Sequence, residues 1–192
     1  MTDETRDGDD AGRGGGDAKV VHLAALDRSM RRRGPDVDVS DFAGDLGVEE
    51  RVIRVAFPGG RDEIVGRVIG NTCDEFDEVV TNPMIAAPTR AEALREAADG
   101  LAAYYEGGAR HCLFDLFSVP DETDHLPGIK ATAQRFLDGL AGVFARDGRG
   151  DAEARAKACR LFAELQGTLV LARLTGDTAL FRAFTENLAR AR

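Results

Sequence analysis

The chain has 192 residues, 43% of them hydrophobic, no Trp and a formal net charge of −9. That length holds one domain or two small ones, and the apolar share suffices for a packed core. The acidic balance argues against a general binder of nucleic acid or membrane surface, which would be basic, while leaving room for a local basic patch. No apolar run is long enough to span a membrane, and the acidic start "MTDETRDGDD" lacks the apolar stretch of a secretory signal. Three Cys (Cys73, Cys112, Cys159) and three His (His22, His111, His125) show neither a disulfide framework nor metal-ligand spacing. Buried, reduced thiols in a cytoplasmic protein are expected, with no metal and no cofactor.

In chain order, residues 1–16 are rich in Gly and Asp with almost nothing apolar, and are expected to be a disordered tail. A first helix is expected from Asp17, its N-cap, to Arg33, with Leu23, Leu26 and Met30 at helical spacing and Gly34-Pro35 as its stop. A short helix starting near Ser40 or Asp41 presents Phe42, Ala43 and Leu46; Gly47 turns the chain, and Val48 to Phe57 forms the next helix. After Pro58-Gly59-Gly60 a longer helix runs from Arg61 to about Thr81, and "NPMIAAP" (82–88) reads as a linker. Thr89 and Glu92 have capping-box spacing for a helix reaching about Glu106. A short apolar segment, 110–119, ends at Pro120. Helices over 129–146, 151–174 and 177–190 complete an all-α chain of about nine helices, the last capped by Asp177. β-branched residues are few and no period-2 run is long, so no strand competes.

The stretch "DFAGDLGVEERVIRVAFPGG" (41–60) has the form of a helix-turn-helix. Such a unit needs a small residue where two helices cross, here Ala43, and a turn residue, here Gly47. It also needs apolar residues to lock the second helix, here Val48 and Ile53.

The wider pattern resembles the TetR family of bacterial transcriptional regulators. "RRRG" ends the first helix, and "DFAGDLGV" stands where the family has a run like Ile-Ala-x-x-Ala-Gly-Val. "FPGGRDEI" matches its Phe-Pro-Gly-Gly-Lys-Glu-x-Leu variant, and "LQGTLVLARLTGDTALF" is similar to the penultimate helix and final-helix start of one subgroup. "GARHCLFDLFSV" sits where that subgroup has a Gly-Cys-Pro segment. The resemblance implies a DNA-binding domain over about 17–60 and a helical ligand-binding and dimerisation domain over 61–192. It implies a homodimer on a near-palindromic double-stranded operator, released by a small apolar ligand.

The DNA-reading residues it implies are Glu49, Glu50, Arg51, Val52 and Arg54, with Arg61 as a phosphate clamp at the next helix start. The sequence departs from the family here. Glu50 stands at the position of a phosphate-binding Lys, and Arg54 and Ala56 stand at the Tyr and His positions. Acidic and basic side chains nearly cancel over 17–60. Glutamates at a helix start complement its dipole or accept from cytosine N4; both readings stand. In the second domain Tyr104, Tyr105, His111, Phe114, Phe117 and Phe136 are expected around a ligand, and Leu161, Leu165, Leu169, Phe181, Phe184 and Leu188 at a dimer interface.

No nucleophile–base order, phosphate loop or apolar carboxylate pair points to an enzyme; "GRGGG" (12–16) has no strand before it. Two functions follow: a ligand-responsive regulator, a repressor by the resemblance, or a dimeric ligand-binding or protein-interaction module that has lost most DNA binding.

Overall fold

The computed structural model describes residues 21–34, 36–116, 126–146, 148 and 150–191. The expected tail, the Asp17 cap and Phe117 lie outside them. Every regular element among the described residues is helical.

The first three helices are α1 (Leu23–Arg33), α2 (Val39–Leu46) and α3 (Glu50–Ala56). α1 begins later than the expected Asp17. His22 is its N-cap in extended conformation, and the helix follows where Leu26 and Met30 can bury one face. α2 begins earlier than Ser40 because Asp38 and Asp41 form a reciprocal capping box. The Asp41 N–H donates to Asp38 Oδ1 at 2.8 Å, and the Asp38 N–H to Asp41 Oδ2 at 3.1 Å.

α2 ends at Gly47, which is left-handed at φ 63°, ψ 40°. The Val48 N–H donates to Ala43 O at 3.0 Å and the Gly47 N–H to Gly44 O at 3.2 Å, the paired bonds of a Schellman turn. The turn swings α3 across α2 so that Ile53 and Phe57 close over Phe42 and Ala43, all four buried. Full burial of a side chain such as Ile53 contributes about 1.5–3 kcal/mol.

α4 (Gly60–Phe76) packs on α1 and carries the chain away from this unit. It passes into a π-helical turn, Asp77–Thr81, where the Asn82 N–H donates to Asp77 O five residues back. α5 (Asn82–Ala86) follows, so the segment expected as a linker is helical. Pro83 is accommodated in the first turn of α5, where a missing N–H costs least.

α6 (Arg90–Tyr104) starts at the expected Thr89–Glu92 box. It is followed by a 3-10 turn (Glu106–Gly108) and the short α7 (Leu113–Leu116). α8 (Leu126–Ala145), α9 (Asp151–Thr175) and α10 (Ala179–Arg190) complete the chain, giving ten α-helices among the described residues where about nine were expected. Asp177 accepts from the Ala179 N–H at 2.8 Å, holding the start of α10 as its sequence position suggests. α8 and α9 pair along their lengths, and α10 lies against α6 and α9. One apolar core runs without interruption from Leu26 through Phe57 and Phe76 to Leu188.

Candidate nucleic-acid interface and its links to the helical body

α3 projects the expected reading residues outward. Ile53 is its anchor, while Glu49, Glu50, Arg51 and Arg54 are exposed and Val52 is half-buried. The charges are paired along the helix itself. Arg51 Nε lies 3.3 Å from a Glu49 carboxylate oxygen and Arg54 Nη2 lies 3.1 Å from a Glu50 oxygen. Both pairs are solvent-exposed, and such contacts contribute about 0–1 kcal/mol, so DNA phosphates could compete for these arginines at small cost. Arg61, the expected clamp, donates from Nε to Val37 O at 2.9 Å, tying the start of α4 to the α1–α2 connection.

The arginine run ending α1 is divided in the same manner. Arg33 forks onto Asp45, with Nε and Nη2 each at 2.8 Å, and reaches Asp41 at 2.8 Å. Arg32 also pairs with Asp45, and the Ser29 hydroxyl donates to it at 2.6 Å. Hydrogen bonds from Arg33 and Ser29 hold the Asp45 carboxyl well below the usual range. This network pins α1 to α2 and offsets much of the positive charge at the end of α1.

Arg31 turns inward. It is buried, with Nε 2.8 Å from Asp27 Oδ2. Its Nη1 donates to His111 O, and His111 Nδ1 lies 3.1 Å from Arg31 O. Arg110, beside His111, forks onto Glu75 of α4 at 2.7 and 2.8 Å and reaches Asp27 at 3.3 Å. Its guanidinium lies 4.5 Å from the Tyr104 ring centroid, a cation–π contact. Thr72 Oγ1 donates to the other Asp27 oxygen at 3.2 Å. α1, the long α4 and the turn after α6 thus meet at one set of buried and half-buried charges. A cleft of about 560 Å³ opens there, lined by Arg28, Arg31, Asn71, Glu75, Arg110 and His111 among others.

Of the residues expected around a ligand, Tyr104, Tyr105 and Phe136 are buried and packed ring against ring. Phe76 joins them, at 5.1 Å from Tyr104 and 5.3 Å from Phe136, while Tyr104 and Tyr105 stand 4.8 Å apart, all edge-to-face. The Tyr105 hydroxyl is 3.4 Å from Cys112 Sγ, and burial pushes its acidity well down. His111 lies apart from these rings, on the cleft described above. Phe114 belongs to α7, and its side chain, like Phe117, lies outside the described residues.

Of the residues expected at a dimer interface, Leu165, Leu169, Phe181, Phe184 and Leu188 are buried within the chain and Leu161 is half-buried. They join α9 and α10 to the body and have little area left for a partner. The outer face of the same helices carries the exposed Leu171, Leu174 and Leu180, with Ala163, Gly167 and Ala183 also exposed. Sequence periodicity identified the helices but not which stripe faces inward, because α9 carries apolar residues on more than one side.

No protein-family model matches the chain, and no curated protein does. Solved structures do. A TetR transcriptional regulator from Legionella pneumophila superposes with a TM-score of 0.71 at 19% identity, covering 86% of this chain and 92% of that one. A TetR-family regulator from Agrobacterium tumefaciens gives 0.70 at 22% identity, over 87% and 93%. The FadR regulator from Bacillus subtilis, in complex with stearoyl-CoA, gives 0.60 at 18%, over 88% and 96%. At these identities the likeness is one of fold.

Proposed function

We propose that this chain, which has the fold of TetR-family transcriptional regulators, is a ligand-responsive regulator acting as a homodimer on a near-palindromic operator. The observation that carries this reading is the α2–α3 unit. Its Schellman turn at Gly47 and its anchors Ile53 and Phe57 hold an exposed seven-residue helix away from the body. Residues 17–60 would be the reader and 61–192 the sensing and dimerising part. Arg51 and Arg54 would take guanine edges or phosphates, and Glu49 and Glu50 would hold those arginines in place before contact. Val52 lies at the border of the face, and Arg61, held to Val37 O through Nε, would clamp a phosphate at the start of α4.

The partner subunit would dock on α9 and α10 through Leu171, Leu174 and Leu180, with the expected Leu161, Leu165, Leu169, Phe181, Phe184 and Leu188 fixing those helices from inside. A small apolar ligand would enter among Tyr104, Tyr105, Phe114, Phe117 and Phe136, displacing rings now packed together, and His111 would connect that region to Arg31. The FadR neighbour, whose structure contains stearoyl-CoA, supports a ligand carrying a long acyl chain as the class to test first. Repression, by occupying a promoter, is the sign this arrangement supports.

A second reading is favoured by one observation: the arginines of α3 and the end of α1 are already matched by carboxylates. On that reading the dimer senses a ligand or binds protein without DNA. Selection from randomised duplexes with the full-length protein separates the two. The first predicts enrichment of a near-palindrome with half-sites about one helical turn, or a multiple, apart. No enrichment from a folded dimer at low salt would contradict it.

A further inference from the structure

Successive residues of an α-helix are rotated by about 100°. Ile53 of α3 points into the core, with Phe57 on the same side one turn on. Directly opposite stand Arg51 and Val55, four residues apart and therefore neighbours on the outer ridge. Exposure agrees: the Arg51 side chain is 79% exposed and Val55 77%, against 61% for Arg54 and 47% for Glu50. Among the described residues Val55 is the most exposed large apolar side chain.

The fold gives Val55 no role. A β-branched residue is a poorer helix former than Ala or Lys at an exposed site, and its methyls contact solvent. A single exposed apolar side chain is ordinary on a protein surface. This one, however, lies at the crest of a seven-residue helix whose charged neighbours are paired with each other. Half-buried Val52 sits beside it one turn back, at i−3. The ridge is therefore nearly neutral and locally apolar.

In the major groove, adenine, guanine and cytosine present polar edges, whereas thymine also presents a 5-methyl group. A valine facing a polar edge would strip it of water and return no hydrogen bond. We propose that Val55 is a specificity-determining residue that packs against a thymine 5-methyl in each half-site, with Arg51 on the edge of a neighbouring guanine. The proposal rests on the reading of α3 as the element that enters the groove.

The test uses the full-length protein and the duplex enriched by selection. Each thymine is replaced in turn by deoxyuridine, which removes the methyl and keeps the pairing, and affinity is read by fluorescence anisotropy. One thymine per half-site is expected to weaken wild-type binding about three- to fivefold when replaced, as removal of one buried methyl implies. V55A, which acts in both half-sites of the dimer, is expected to lose about the square of that factor, roughly ten- to twentyfold, on the thymine duplex and to be indifferent to uridine at that position. R51A is expected to bind more weakly overall yet remain sensitive to uridine. Absence of any DNA complex would overturn the operator reading together with this proposal. A specific complex indifferent to every uridine substitution, or one for which V55A keeps the full uridine effect, would overturn this proposal alone, leaving the ridge as a surface for another partner.

Discussion

Arg31 and Arg33 are two residues apart and meet opposite surroundings. Arg33 lies at the surface on Asp41 and Asp45, whereas Arg31 is buried on Asp27 beneath the turn that carries His111. Burial disfavours the Asp27 charge, but the hydrogen bond and charge of Arg31 and the charge of Arg110 outweigh it, so its carboxyl sits below the usual range. Removing it would leave Arg31 buried and unpaired, and D27N should lose about 3 kcal/mol of stability in urea unfolding. The pH dependence has a defined sign. A carboxyl depressed in the folded state contributes fully above its unfolded value near pH ~3.9 and ceases to contribute as pH falls through its folded value. Wild-type stability should therefore fall below about pH 4, with a shallower fall in D27N. An equal slope in the two proteins would exclude Asp27 as the source. The Asp27–Arg31 pair could be read from its i,i+4 spacing, yet "RRRG" suggested charges complementing a helix end or meeting phosphate, not a buried arginine. Arg110 lies 83 residues from Asp27, and no local pattern shows that contact.

Helix ends were legible where both partners of a cap lie within one turn, as with Thr89 and Glu92 or Gly47. The passage from α4 to α6 was not. A Pro inside "NPMIAAP" argues for a break, but the π-helical turn before it lets the helical path continue. Across this turn lies Gly100 of α6, where an added Cβ would stand 2.4 Å from the Val79 carbonyl oxygen. Both atoms belong to helix backbones, so neither moves cheaply. G100A should therefore destabilise the protein by about 1–3 kcal/mol, visible as a lower thermal midpoint, although Ala is the better helix former in isolation. An unchanged or raised midpoint would show that the two elements separate freely. Gly100 carried no signal in the sequence, because the atom it makes room for belongs to a segment that was read as the end of a helix.

At the scale of the whole molecule, the all-α architecture and the helix-turn-helix were legible because they depend on local periodicity and one left-handed glycine. The faces of α9 and α10 were not. Leu165 and Leu174 are equally apolar in sequence, and packing alone buries the first and leaves the second 73% exposed. On the proposed dimer, charging the outer face with L174D and L180D together should yield monomer in sedimentation while the fold is kept, since both side chains are exposed. A persistent dimer would move the interface elsewhere. No helix among the described residues is long and apolar enough to cross a membrane.

On the proposed function, α3 reads DNA despite its paired acids. The most direct test is fluorescence anisotropy of the full-length protein with duplex DNA flanking its own coding region, across a salt series. The expected result is a specific complex that unrelated DNA of equal length does not compete away. For about four phosphate contacts per dimer, affinity should fall about a hundredfold between roughly 50 and 200 mM salt. R51A combined with R54A should weaken it at least about tenfold. A folded dimer that gives no specific complex even at the lowest salt, or a double variant that binds as tightly as wild type, would contradict it.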